Sequence, residues 1–194
     1  MTYWDPIPAV RALVGTPHPM WQEGVVRHDW SGPAPDGWAN RDWHNVTGPF
    51  YTAGTDNCFT GRRCAPEHVA YEDEYCTEFV YRPPVEVAGV HELTCAGECD
   101  PLGAYGGDGD RRWTPELVRD WWGERGRARE WALRVGRGEW ATSEREQFRD
   151  VAAGARAYLA HLDHGLGEYL RDYMFWLSEG RPAAPGERLP ELDA

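Results

Sequence analysis

The chain has 194 residues with eleven Trp, nine Tyr and five Phe, a length that suits one domain and an aromatic supply that excludes a disordered chain. Thirty-two acidic against twenty basic side chains give a net charge of −12, which argues against nucleic acid and anionic membrane as partners. No apolar run approaches the roughly 18 residues of a membrane-spanning helix.

Residues 1–42 are dense in Pro and Trp, including Pro6, Pro8, Pro17, Pro19, Pro33 and Pro35 with Trp4, Trp21, Trp30 and Trp38. Proline at this density forbids long helices and central strands. The segment is expected as an irregular arm with one short helix near residues 9–14, its indoles pinned to the body; the same indoles also allow a homodimer contact. The start, Met1-Thr-Tyr-Trp-Asp-Pro, has no basic stretch followed by an apolar run, so no signal peptide is expected. All basic residues other than histidine are Arg, which points to a GC-rich genome more than to selection for bidentate pairing.

A single α+β domain is predicted over residues 43–180. Tyr75, Thr77, Phe79 and Tyr81 alternate with Cys76, Glu78, Val80 and Arg82, the pattern of a half-buried strand. With Val69-Ala-Tyr71 and the acidic turn Glu72-Asp73-Glu74 this reads as a hairpin, ended by Pro83-Pro84. A helix follows over residues 85–99, then a Gly-rich acidic loop over 103–110. Thr114-Pro115-Glu116 is a helix start with a hydroxyl cap and Pro at the first position, and Leu117, Trp121, Ala128, Ala132 and Val135 form its apolar stripe. Ser143-Glu-Arg-Glu146 reads as a capping box. From Phe148 to Leu177 the 3.6-residue period holds through Gly165, which predicts one long helix, straight or kinked, closed by Gly180. A loose Pro-rich tail occupies 181–194. The expected architecture is a small antiparallel sheet packed against C-terminal helices.

Charge is unevenly placed. Residues 56–110 carry twelve Asp and Glu against three Arg, together with all five cysteines, Cys58, Cys64, Cys76, Cys95 and Cys99. Summed surface charge selects the sign of a partner. The leading expectation is a non-enzymatic acidic binding protein of immunity or antitoxin type. Its face of Glu67, Glu72, Asp73, Glu74, Glu78, Glu92, Glu98, Asp108 and Asp110 would engage a basic protein partner, with no cofactor.

The competing expectation is a zinc- or thiol-dependent enzyme, with an accessory protein of a biosynthetic operon as a third. His91, Cys95 and Cys99 fall at i, i+4, i+8 on one side of the predicted helix, and imidazole and thiolate are the donors zinc prefers; a fourth would come from Cys58, Cys64, Cys76 or His68. The bland alternative is a core stripe continued by Val87, with thiols acting as small hydrophobes. Cys58, in the polar loop Thr55–Gly61 with His44 and His68 in the wider neighbourhood, is the candidate nucleophile, although its acidic setting raises thiol pKa. Five cysteines without secretion features point to a cytoplasmic chain with free thiols or a metal, not a disulfide framework, so the sequon Asn45-Val46-Thr47 reads as a chance match. Asp108-Gly109-Asp110 imitates a calcium loop but lacks its Glu, Arg119 standing in that place. His161-Leu-Asp-His164 with Glu168 is expected to face solvent, and Arg125, Arg127, Arg129, Arg134 and Arg137 read as a solvated mixed-charge face.

Three phrases carry a resemblance: His44-Asn-Val-Thr-Gly-Pro-Phe-Tyr51 running into Thr55-Asp-Asn-Cys58; Glu78-Phe-Val-Tyr-Arg-Pro83; and Gly107-Asp-Gly-Asp-Arg-Arg-Trp-Thr-Pro-Glu-Leu-Val-Arg-Asp-Trp-Trp122. Over residues 43–180 the chain resembles small, acidic, Trp-rich actinobacterial proteins of unassigned function. The resemblance implies a bacterial cytoplasmic protein and brings no activity or catalytic residue with it.

Overall fold

The computed structural model describes residues 2–18, 20 and 24–193; Pro19 and Trp21 of the arm lie outside them. The fold is α+β. There are two antiparallel ladders, each of two short strands, and a C-terminal set of helices packs on one of them.

The hairpin forms where alternation places it, between β2 (Val69–Tyr71) and β3 (Glu78–Val80), in the register Val69–Val80, Ala70–Phe79 and Tyr71–Glu78. It is shorter than the alternating run, and both of its faces are covered instead of one. The second ladder joins β1 (Tyr51–Thr52) to β4 (Tyr105–Gly106), which comes from the loop expected over 103–110. Asn45 clips the two ladders together. Its side-chain carbonyl accepts from the backbone N–H groups of Thr52 and Val80, and its amide donates to the carbonyls of Asp42 and Thr52. The residue is buried, which supports reading its sequon as chance.

In the arm, α1 (Ile7–Leu13) begins two residues earlier than expected, because Pro6 and Pro8 suit a first turn. Ile7 and Val10 join Trp30, Phe50, Val90 and Tyr105 in one apolar cluster, so the arm belongs to the body's core. Trp30 lies against Gly97 of α3 (Val87–Cys99), where a Cβ would approach its ring to 3.0 Å.

Thr114 caps α4 (Pro115–Arg137) as expected, accepting from the Leu117 N–H at 3.3 Å. The buried stripe keeps the predicted Ala128, Ala132 and Val135, but at its start Val118 is fully buried while Leu117 is 42% exposed. Trp131, Ala132 and Val135 continue it beneath α5 (Glu146–Asp163). The capping box does not form, since Ser143 Oγ accepts from Arg145 instead and Glu146 is already the first helical residue.

The long C-terminal helix is two helices. The chain leaves α5 at His164, turns at Gly165 with φ +88°, and restarts as α6 (Leu166–Glu179). The apolar phase persists because both segments bury their stripe in the same core, Val151, Ala155, Tyr158 and Leu162 from one, Leu166, Leu170, Tyr173 and Met174 from the other. Tyr158 stands at its centre, donating to the His44 carbonyl at 2.9 Å beside the rings of Phe79, Tyr81 and Trp131. No helix of the described residues is long and apolar enough to cross a membrane.

Candidate functional site: a three-sulfur cluster

The one-turn helix α2 (Gly61–Cys64) packs against α3 and carries Cys64 to the face where Cys95 and Cys99 stand one turn apart. The three sulfur atoms lie within 4.8 Å of one another. Cys64 and Cys95 are joined as a disulfide, with Cα atoms 5.6 Å apart, and Cys99 Sγ stands 3.5 Å from Cys64 Sγ. Cys95 is buried, whereas Cys64 and Cys99 are half-buried.

This arrangement corrects two expectations. The third donor beside Cys95 and Cys99 is Cys64, not His91. Helical spacing orders residues within α3 but carries no information about a partner segment 31 residues away. The sequence also favoured free thiols or a metal, and the structure forms a crosslink. Among the described residues no fourth His, Cys, Asp or Glu joins the group. Cys58 and Cys76 are free thiols outside it.

Glu78 governs the electrostatics nearby. It lies inside the fold, 1% exposed, accepting from the Gly61 N–H at 2.7 Å and the Tyr105 hydroxyl at 2.5 Å. Burial outweighs those two bonds and lifts its carboxyl to about 7, with help from Asp56 and Asp100. Gly61 has no room for a side chain because the Glu78 carboxylate occupies that space. The Cys99 thiol is pushed up, first by burial and then by the charges of Glu78, Asp56 and Glu98. At Cys58 the hydrogen bond to Asp56 and its charge raise the thiol too. That leaves Cys58 a poor nucleophile. The two histidines expected near it are engaged elsewhere: His44 pairs with Asp42 at 2.6 Å, and His68 pairs with the Arg82 carbonyl at 2.8 Å.

Of the nine carboxylates expected to share an exposed face, seven take partners within the fold. Glu72 is buried and closes the hairpin turn by accepting from the N–H groups of Glu74, Tyr75 and Thr77. Asp73 accepts from Trp131 and, bidentately, from Arg134 of α4. Glu98 holds the backbone of Arg27 and His28, and Asp108 takes Tyr51 and Arg112. Asp110 accepts from Tyr173 at 2.7 Å and is lifted to about 7 by burial. Glu92 is half-buried and Glu78 is internal, so only Glu67 and Glu74 are exposed, the former paired with Arg82 at 3.1 Å. The physical reason is local: tight turns and buried tyrosines present donors, and adjacent carboxylates satisfy them. The calcium-like Asp108-Gly109-Asp110 is such a turn. Of the His161 set, His164 and Asp163 are exposed as expected, but His161 is buried and held down to about 3 by burial.

No family model matches the chain, and no curated protein or solved structure is similar to it.

Proposed function

We propose that the chain is a thiol-switched metal-binding protein of the cytoplasm, its site formed by Cys64, Cys95 and Cys99. The carrying observation is the convergence of three sulfurs from two helices within 4.8 Å. A structural crosslink needs two sulfurs, and the third stands in reach of the bond. Cytosolic disulfides are mostly transient, catalytic or redox-sensing, which suits a bond that opens.

The chemistry balances simply. An external dithiol delivers two electrons and two protons to the Cys64–Cys95 disulfide and is itself oxidised, leaving three thiols in one cluster. Loading a soft divalent ion such as zinc then releases thiol protons. The carboxylate field of Glu78, Asp56 and Glu98 that disfavours a free thiolate at Cys99 favours a bound cation. Three protein donors leave the fourth tetrahedral position to solvent or an incoming ligand.

Anaerobic, fully reduced protein is expected to hold about one zinc per chain, by elemental analysis, and to lose it in Cys95→Ser/Cys99→Ser. Cobalt titration should give a thiolate charge-transfer band. Reduced protein with every thiol alkylatable, no stoichiometric metal and no such band would end this reading. The alternative of an acidic inhibitor draws less support, since Glu67 and Glu74 are the exposed residues among its nine carboxylates.

A further inference from the structure

The first half of α4 and the segment 41–45 enclose a cleft of about 200 Å³. Arg41, Arg125 and Arg127 line it with the indoles of Trp43 and Trp121. Each guanidinium is laid on an aromatic face: Arg127 is 3.7 Å above Trp43, Arg125 is 3.8 Å above Trp122, and Arg41 is 4.1 Å above Trp38. Arg41 and Arg125 are further held by bonds to the carbonyls of Trp38 and Trp122. Stacking fixes a guanidinium plane while leaving its N–H edge available.

Six of the seventeen arginines outside the cleft take carboxylates among the described residues. Arg62, Arg82, Arg112, Arg129, Arg134 and Arg181 each sit in an ion pair, whereas among the described residues none of the three cleft arginines does. Supply is not the cause, because carboxylates outnumber arginines 32 to 20. Of the two acids on the cleft wall, Asp42 is committed to the His44 ring and backbone N–H, and Glu124 is exposed. The outcome is a preorganised cationic recess on a molecule of charge −12.

We infer that this cleft is a binding site for a small soluble phosphate monoester, its terminal oxygens taken by Arg41, Arg125 and Arg127. Three forked donors, one from segment 41–45 and two from α4, match a dianion with three terminal oxygens better than a planar carboxylate. The cleft is smaller than the roughly 300–1,000 Å³ of drug-sized sites, so a phosphate head and a short substituent fill it.

Calorimetric titration at low ionic strength with inorganic phosphate, phenyl phosphate and succinate tests this, low salt limiting screening of exposed guanidiniums. Saturable binding of both phosphates is expected, weakened by at least about tenfold in Arg125→Gln and in Arg127→Gln. Folding of both variants is verified by circular dichroism. Arg137→Gln, on the same helix but outside the cleft, should bind as the unaltered chain does. Absence of saturable phosphate binding in the millimolar range, equal weakening by Arg137→Gln, or succinate binding as tightly as phosphate would each overturn the inference.

Discussion

Glu78 shows how one residue escapes a pattern and then dominates its surroundings. Alternation puts it on the outward face of β3, but α2 and Tyr105 cover that face and leave the carboxyl interior. Its folded pKa is raised from 4.5 to about 7, so its contribution to stability is full below pH 4.5 and fades as pH rises through about 7. Asp110 acts in the same sense. His161 and His68, both held low by burial, act oppositely and lose stability as pH falls. Comparing Glu78→Gln with the unaltered chain isolates the carboxyl. We expect the variant to gain relative stability between pH 5 and pH 8, up to roughly 3 kcal/mol, by urea denaturation; a difference independent of pH would refute an ionising interior Glu78. Removing this charge should also speed iodoacetamide modification of Cys99 near neutral pH in reduced protein. Gly107 makes a separate demand, because a Cβ there would strike the Trp30 carbonyl. Gly107→Ala is expected to destabilise by about 1–3 kcal/mol, or to prevent folding.

Among the elements, local signals were legible and partnerships were not. The Thr114 cap, the hairpin and the Cys95–Cys99 spacing all follow from neighbouring residues, and all are present. Cys64 was one of several candidate extra donors, because nothing in periodicity says that a one-turn helix will bring it to α3. The acidic face failed for the same reason: the donors that claim Asp73 and Asp110 arrive from α4 and α6. Gly165 separates the two readings of the C-terminal helices. In a continuous helix Gly165→Ala would stabilise by up to about 1 kcal/mol. At φ +88° the same change is strained, and a loss of roughly 1 kcal/mol is expected in thermal melts.

For the molecule as a whole, the sulfur site ties redox state to stability. The Cys64–Cys95 link closes a sequence separation of 31 residues, for which chain-entropy arguments give about 3–4 kcal/mol. Thermal melts with and without a dithiol reductant should differ by several degrees, and Cys95→Ser should abolish the difference. Zinc added to reduced protein should restore much of it, since a ligand that binds only the folded state stabilises by mass action.

Asn45 has a mechanical consequence. One carboxamide holds the backbone amides of Thr52 and Val80 from different ladders, so the two ribbons share a fastening beyond their own strand pairing. Deuterium uptake at those two amides should therefore run on a common clock, and Asn45→Ala should quicken both in step.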